Sequence, residues 1–199
     1  VLNDTLNDPA LLIELGDTMV DAGSADDGID LYWQVLGLPK VDPKSDARSG
    51  AVRGLARAYL TLGQPETALE HWNEALNLAP KDANALIGRG VSLDILGRHA
   101  EAQAAYRAVL AETPRNVPAR NDLALSLALS GHFSDAVEIM TPLARAATAT
   151  PRIRQNLALI YGLKGDNERA TALSRVDLDQ PTTEANLRFF KFVRDAGAN

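Results

Sequence analysis

Three histidines are the residues of this 199-residue chain whose side chains most readily bind metals or transfer protons. They are His71, His99 and His132, and each falls in or just before the second helix of a predicted helix pair. None is combined with a carboxylate at a spacing typical of metal ligands. We therefore predict that all three histidines face solvent and have no metal-binding or catalytic role.

Acidic residues and one glycine pair give the other possible chemistry. Asp26, Asp27 and Asp30 could place two carboxylates on one helical turn for calcium binding or acid-base work, although such residues commonly favour the positive end of a helix dipole. Gly88 and Gly90 begin a GxG pattern, but no third glycine and no preceding strand accompany it, which favours packing within a helix. The chain has no cysteine, no nucleophile motif and no phosphate loop. We predict no catalytic residue, no cofactor and no metal site, and so a protein that is not an enzyme.

A glycine recurs at a constant spacing through most of the chain. Three intervals of 34 residues separate Gly63, Gly97, Gly131 and Gly165. Five residues after each glycine stands an alanine, and the four are Ala68, Ala102, Ala136 and Ala170. A fixed spacing of this length indicates a structural unit that repeats along the chain.

This pattern resembles the tetratricopeptide repeat, a pair of helices joined by a tight turn. The glycine ends the first helix in a left-handed conformation, and the small alanine lets the second helix approach closely. One such hairpin cannot bury both of its faces, so neighbouring hairpins must stack. The expected fold is all-α, a right-handed α-solenoid of tetratricopeptide helix hairpins with a C-terminal capping helix and no strand.

The repeat spacing predicts four segments along the chain. Residues 1–8 are a lead-in, and residues 9–48 form a degenerate first hairpin followed by a loop. Residues 49–182 contain four regular hairpins, and residues 183–199 form a capping helix and a tail.

Particular residues mark the two irregular ends of this arrangement. In the degenerate hairpin, Gly23 takes the turn, Gly28 takes the alanine position and Tyr32 is the bulky packing residue. At the other end, Thr182 or Thr183 is the expected N-terminal cap of the closing helix.

The formal net charge of −6 is unevenly distributed. Residues 1–50 contain 3 basic and 10 acidic residues, whereas residues 151–199 contain 8 basic and 6 acidic ones. Without a basic stripe, we do not expect nucleic-acid binding. No run of about 18 apolar residues is present, so we expect a soluble chain, and its start at Val1 rather than Met suggests a missing upstream segment.

The concave face formed by the first helix of each hairpin is the predicted binding groove for a protein or peptide. Positions at fixed offsets from the turn glycines give the partner-binding residues Arg53, Arg57, Asn84, Ile87, Val91, Asn121, Leu125, Arg152, Gln155, Asn156 and Leu159. Leu129 and Leu163, two residues before their glycines, extend an apolar strip with Ile95. The arginine end, apolar floor and amide rims suit an extended or helical peptide segment. The alternative is that several of these leucines pack onto the next hairpin.

Co-chaperone members of this repeat class bind acidic C-termini through a clamp of lysine and asparagine. The corresponding positions of this chain are Gly88, Pro118 and Asp122. Because Asp122 would repel a carboxylate, we do not expect that specificity here.

The chain resembles the TadD family, the repeat lipoproteins of bacterial tight-adherence (Flp) pilus assembly, over nearly its whole length and most specifically from Asn121 to its end. The resemblance rests on RNDLALSLALSGHFSDAVEIMTPLA, on ATPRIRQNLALIYGLKGDNERATALSRVDL and on ANLRFFKFVRD, most distinctively on Arg154 to Leu159 and Asn186 to Phe190. It implies export, a lipid-modified N-terminal cysteine and a location at the periplasmic face of the outer membrane. The implied partner is the pilus secretin or another Tad component, and membrane attachment would need a lipid anchor upstream of Val1.

Two other functions remain open at this stage. One is a cytoplasmic adaptor of the same repeat class that binds an unrelated protein partner. The other is an enzyme built on a solenoid, which would need a pocket of titrating groups with shifted pKa values.

Overall fold

A computed structural model describes residues 7–42 and 44–196, and over these residues the chain consists of helices and connecting loops without a strand. Eleven helices occur in this part of the chain: α1 (Pro9–Asp21), α2 (Ala25–Gly37), α3 (Asp46–Thr61), α4 (Pro65–Leu78), α5 (Ala83–Ile95), α6 (His99–Glu112), α7 (Val117–Leu129), α8 (Phe133–Arg145), α9 (Pro151–Lys164), α10 (Asn167–Ser174) and α11 (Gln180–Ala196). The chain divides into two compact units, Val1–Ala105 and Tyr106–Asn199, and the boundary falls within α6.

The turn inside each hairpin depends on a glycine with a left-handed backbone. The φ angles lie between 71° and 90° at Gly23, Gly63, Gly97, Gly131 and Gly165. At the first four of these, an added Cβ would meet no atom within 4 Å, so the backbone conformation rather than lack of space requires glycine. The residue after the glycine closes the turn, as where the Gln64 amide donates to the Tyr59 carbonyl over 2.9 Å. These are Schellman-type helix ends.

Small residues allow the two helices of each hairpin to pack closely. The four repeated alanines, Ala68, Ala102, Ala136 and Ala170, are completely buried. In the first hairpin, a Cβ at Gly28 would lie 2.7 Å from Val20 Cγ2 and 2.9 Å from the Gly16 carbonyl oxygen. The degenerate hairpin therefore needs a residue even smaller than alanine at this position.

In unit one, aromatic rings of the second helices pack against glycines of the helices that follow. The Tyr32 ring of α2 lies between Gly16 of α1 and Gly54 of α3, and no room for a side chain remains at either glycine. The Trp72 ring of α4 covers Gly88 of α5 in the same way. These contacts join each hairpin to the next within this unit.

The helices that begin each hairpin have side-chain caps. Ser45, Asp82, Asn116 and Thr150 accept backbone hydrogen bonds at the N-termini of α3, α5, α7 and α9. In contrast, α2, α4 and α8 have no side-chain cap bond. Each of these second helices follows a glycine turn directly, so the turn rather than a side chain sets where it starts.

The closing helix begins earlier than its predicted cap. Its first residue is Gln180, and Asp179 Oδ1 accepts a hydrogen bond from the Thr182 amide over 3.0 Å. The prediction of Thr182 or Thr183 as the cap is therefore wrong, since both lie inside α11 and the Thr183 side chain is buried. Aspartate is as good a cap as threonine, and Pro181 suits the first turn of a helix.

In unit two, α9 is the helix around which the others pack. It contacts α7, α8, α10 and α11. Phe190 of α11 is buried and its ring lies against Gly162 of α9, where a Cβ would collide with it. The closing helix is therefore held by an aromatic-glycine contact of the kind found in unit one.

We expect Gly63→Ala to destabilise the protein by about 1 to 2 kcal/mol, because an alanine must adopt the left-handed conformation there. Gly37→Ala is the matched control, since its added Cβ would also meet nothing within 4 Å but its backbone is not left-handed. We expect this control to change stability by less than about 0.5 kcal/mol. Urea unfolding of both variants measures the difference, and equal midpoints would contradict the turn argument.

Candidate groove in unit one

A cleft of about 480 Å³ opens beside the first helices of three successive hairpins, α1, α3 and α5. Asp17, Arg53, Arg57 and Asn84 provide its polar groups, and the apolar residues that line it are Ile13, Leu60, Trp72 and Ile87. Arg53, Arg57, Asn84 and Ile87 belong to the predicted partner-binding set. Four predicted residues from two different helices thus share one cleft.

Glycines determine the floor of this cleft. Gly54 and Gly88 line it, and each receives the aromatic ring of the preceding hairpin. Trp72 is only 6% exposed, so it contributes little surface to the cleft. The floor is therefore closely packed, because the two rings fill the space that side chains at Gly54 and Gly88 would take.

An ion-pair network occupies one side of the cleft. Arg57 Nη2 lies 2.8 Å from Asp17 Oδ1, and Arg57 Nη1 lies 3.2 Å from Asp21 Oδ1. The Tyr32 hydroxyl donates to the same Asp17 oxygen over 2.7 Å. Arg57 also donates to the Asp17 carbonyl oxygen over 3.3 Å. The network joins helices α1, α2 and α3.

The environment keeps both Tyr32 and Arg57 protonated. Burial raises the pKa of the Tyr32 phenol above its ordinary value, and the hydrogen bond to Asp17 raises it further. Burial lowers the pKa of Arg57, but its interactions with Tyr32 and Asp17 outweigh that effect and raise the pKa overall. The phenol therefore remains a hydrogen-bond donor to Asp17 over the usual pH range.

Arg53 is held by a carboxylate that already caps a helix. Arg53 Nη1 lies 2.6 Å from Asp82 Oδ2, while Asp82 Oδ1 accepts bonds from the Asn84 and Ala85 amides at the start of α5. Both predicted groove arginines are therefore neutralised by the chain itself. About 40% of each side chain remains exposed, at 39% for Arg53 and 40% for Arg57.

The remaining predicted residues of unit one differ in their availability. Asn84 is exposed at the cleft, and its side-chain amide makes no hydrogen bond within the described residues. Ile87 is half-buried and lines the cleft, whereas Val91, one turn later, is half-buried outside it. Asn84 and Ile87 thus offer one free amide and one apolar side chain to a ligand.

In unit two, three of the four predicted polar residues form side-chain hydrogen bonds within the chain. The Asn156 amide donates to Asn121 Oδ1 over 2.8 Å, and Asn121 is only 5% exposed. The Gln155 amide donates to Asp177 Oδ2 over 3.3 Å. Arg152 is exposed, and the two remaining predicted residues, Leu125 and Leu159, are half-buried.

Arg154, from the stretch that most resembles the TadD family, has a structural role. Its guanidinium donates two hydrogen bonds to Asp177, which lies in the connection after α10, through Nε over 2.8 Å and through Nη2. Nη1 also donates to the Ala149 carbonyl oxygen over 2.8 Å. Asp177 occupies a position where apolar packing is usual, and this bidentate pair explains why a carboxylate is accepted there.

A second cleft, of about 660 Å³, lies within unit two at the C-terminal ends of α7 and α9. Leu129, Phe133 and Val193 form apolar walls, and Lys164 and Arg194 lie at its edge. Among the predicted apolar strip, Leu129 is exposed here, whereas Leu163 is buried and so offers little surface. None of the predicted partner-binding residues lines this second cleft.

Comparison with known families agrees with the repeat geometry. Residues 53–117 match one tetratricopeptide-repeat family model, and residues 96–160 match a second. Together the matches cover more than half of the 199 residues. The chain belongs to the tetratricopeptide-repeat family. Such repeats typically bind protein partners, so this chain is a scaffold suited to protein–protein interaction.

Curated relatives share only part of their length with this tetratricopeptide-repeat chain. Human tetratricopeptide repeat protein 7B is 29% identical over 116 residues, which are 58% of this chain and 14% of that protein. An uncharacterized Sinorhizobium fredii protein, y4yS, is 38% identical over 77 residues, which are 39% of this chain and 42% of that protein. The chain therefore spans less than half the length of either relative.

A solved structure confirms the fold class. A thermophilic tetratricopeptide-repeat protein of Thermus thermophilus superposes with a TM-score of 0.73 at 23% identity. The superposition covers 94% of this chain and 98% of that one. The prediction of an all-α solenoid of tetratricopeptide hairpins is thus confirmed.

The prediction that all three histidines face solvent does not hold for His71. The His71 ring stacks on Tyr59 with centroids 5.4 Å apart and meets Trp33 edge-on at 5.8 Å, so its prediction as a solvent-facing residue is wrong. His99 Nδ1 lies 2.8 Å from Asp94 Oδ1. Within the described residues no group of three or more His, Cys, Asp or Glu side chains could hold a metal.

Among the residues that the structure describes, no helix combines the length and apolar character needed to span a bilayer.

Sequence reasoning missed the cleft residues from the degenerate hairpin. Ile13 and Asp17 of α1 line the cleft beside Arg53 and Arg57 of α3. The signal that could have found them is the same pair of offsets. Arg53 and Arg57 lie ten and six residues before Gly63, and Ile13 and Asp17 lie ten and six residues before Gly23, but the offsets were applied only to the four regular turn glycines.

We expect Tyr32→Phe to reduce stability by about 1 to 2 kcal/mol, because the substitution removes the hydrogen bond that the Tyr32 hydroxyl donates to Asp17. Tyr59→Phe is the matched control, since the Tyr59 hydroxyl has no hydrogen bond within the described residues and its ring stays stacked on His71. Urea unfolding at neutral pH compares the two. Equal losses would show that the Tyr32 hydroxyl does not support Asp17.

Because of the Arg154–Asp177 pair, the free energy of unfolding should depend on pH in the acid range. The hydrogen bonds from Arg154 hold the pKa of Asp177 below its ordinary value of 3.8. The stability that the ionised Asp177 side chain contributes is therefore complete above the unfolded-state pKa. That contribution is lost as the pH falls through the lower pKa of the folded state.

Accordingly, Asp177→Asn should be less stable than the parent protein at pH 7, and the difference should shrink as the pH falls below about 3.8. Glu138→Gln is the control, since Glu138 is exposed on α8 and forms no ion pair within the described residues. Urea unfolding across this pH range measures the effect. A difference that stays constant with pH would rule out the linkage.

Proposed function

We propose that this protein is a non-catalytic scaffold that holds an extended peptide segment of a protein partner in the unit-one cleft. The observation that carries the proposal is the shared placement of Asn84, Ile87, Arg53 and Arg57 around one open cleft.

The lining of the cleft favours main-chain recognition combined with an apolar contact. The free side-chain amide of Asn84 can donate to and accept from a peptide backbone. Ile13, Leu60 and Ile87 provide apolar surface for one or two side chains of the peptide. An extended segment offers backbone N–H and C=O groups to the Asn84 amide, whereas a helix uses these groups internally, so the amide favours an extended segment.

The charge state of the cleft argues against strongly acidic ligands. Asp82 neutralises Arg53, and Asp17 with Asp21 more than neutralises Arg57. A peptide carboxylate would have to displace one of these aspartates, so little net attraction remains. We therefore propose that affinity comes from apolar contacts and amide hydrogen bonds, and that it depends only weakly on salt.

Binding can be tested with a displayed library of dodecapeptides, followed by fluorescence anisotropy on the selected sequences. We expect Ile87→Asp to weaken binding at least about tenfold, since a carboxylate would replace apolar contact surface. Ile95→Asp is the matched control: it lies on the same helix, is 61% exposed and does not line the cleft. Equal loss in both variants, with both still folded by circular dichroism, would reject the cleft as the binding site.

We further propose that the partner belongs to Flp/Tad pilus assembly, and that the protein acts in building or placing the secretin at the periplasmic face of the outer membrane. The support for this proposal is the resemblance to the TadD family over Arg154 to Leu159 and Asn186 to Phe190. Cell fractionation of the full-length protein would test its location. A cytoplasmic location would instead favour an adaptor for an unrelated partner.

Direct binding to purified secretin separates this assignment from the cleft proposal. Affinity for the secretin that is lost in Ile87→Asp and kept in Ile95→Asp would support both. If selected peptides bind through the cleft but the secretin and other Tad components do not, the pilus assignment fails and the peptide-binding scaffold stands.

A further inference from the structure

We propose that copies of this chain associate head to tail, with the outer face of α11 in one copy packing on the outer face of α1 in the next. We define the α1 outer face by Leu11 and Leu15, and the α11 outer face by Phe189 and Phe192. Neither face contains a residue of the unit-one cleft, so the inference goes beyond the proposed function.

The α1 outer face is apolar and is turned away from the rest of the first hairpin and from α3. Leu11 is 46% exposed and Leu15 is 41% exposed. Each lies two residues from Ile13, which contacts α3 at Gly50. At about 100° per residue, both leucines lie on the far side of α1 from the hairpin that follows. A preceding hairpin would pack at this surface.

The α11 outer face has the same character with larger side chains. Phe189 is 57% exposed and Phe192 is 69% exposed. Phe190 lies between them in sequence and is buried against Gly162 of α9. The helical period places Phe189 about 100° and Phe192 about 200° around the helix from Phe190, which turns them away from α9. A following hairpin would pack at this surface.

Exposure of both faces has a physical cost that association would remove. Single exposed apolar side chains are common, but large apolar side chains grouped on one side of a helix form a patch that is unfavourable in water. Here each outer face presents two large apolar side chains on one side of a helix. A hairpin stack buries such faces against the next helix, and a second copy can provide that helix.

Charge determines which faces meet. The first hairpin, residues 7–39, contains seven carboxylates and no lysine or arginine. In α11, Arg188 and Lys191 are exposed beside the phenylalanines, and with Arg194 the basic residues of this helix outnumber its two acidic ones, Glu184 and Asp195. In α1, Glu14 is exposed between the two leucines. Two α1 faces would bring carboxylates together, whereas an α1 face and an α11 face bring opposite charges together. The interface is therefore heterologous, with unlike faces in contact.

A contact between two single helices is small, so the association should be weak and reversible. Sedimentation velocity at protein concentrations of roughly 0.01 to 1 mM, in about 0.05 M salt, should show a rising average mass. Raising the salt to about 0.5 M should reduce that mass at equal concentration. A constant monomer mass across this range would overturn the proposal.

Two double variants test the pairing of faces. Leu11→Glu with Leu15→Glu removes the α1 face, and Phe189→Glu with Phe192→Glu removes the α11 face. Each variant alone should remain monomeric at all concentrations, because each keeps only one of the two faces. An equimolar mixture should form a one-to-one dimer and nothing larger, since the two remaining faces are complementary and no further face is left.

The controls make each outcome decisive. Ile95→Glu with Leu129→Glu changes two exposed apolar residues on other helices and should associate as the parent does. Urea unfolding of all variants checks that the substituted proteins fold. Self-association that persists in the α1 variant alone would indicate contact between two α11 faces and contradict the proposal. Failure of the mixture to form dimers would do the same.

Discussion

The Tyr32 side chain is the contact on which unit one depends. Its ring lies between Gly16 and Gly54, so it joins the helices on both sides of α2, and neither glycine could be replaced without displacing it. Its hydroxyl reaches Asp17, which in turn binds Arg57 at the cleft. One buried side chain therefore determines how closely the hairpins stack and where the polar groups of the cleft stand. Packing and site geometry are consequences of the same contact.

The ion pairs of the cleft change what the arginines can do. An arginine on a groove surface usually attracts carboxylates, but Arg53 and Arg57 each have an aspartate partner within the chain. These partners come from other helices, so the pairs also support the stacking of hairpins. Because the charges are balanced locally, ligand selection falls to the apolar surface and to the Asn84 amide. The groove is in this respect unlike a clamp for acidic peptide ends.

The repeat spacing was sufficient to predict the fold, because each element that defines it is local. The left-handed turn and the buried alanine both lie within one hairpin, and glycine and alanine are the residues that satisfy them. The groove residues could be placed only in part. An offset from the turn gives the direction of a side chain, but not the groups opposite to it. Asp17 and Arg57 are 40 residues apart, and Arg154 and Asp177 are 23 apart, so sequence alone did not reveal either pair.

The degenerate first hairpin shows how the stacking contact survives an irregular spacing. Tyr32 precedes its glycine, Gly54, by 22 residues, whereas Trp72 precedes Gly88 by 16. The difference of six equals the excess of the 40-residue interval from Gly23 to Gly63 over the regular 34. The added length is shared between the connection and the next helix. Eight residues connect α2 to α3, against four between α4 and α5, and α3 begins 17 residues before its turn glycine, whereas α5 begins 14 before its own. A longer connection costs little entropy, while a shifted ring would lose the glycine that accommodates it.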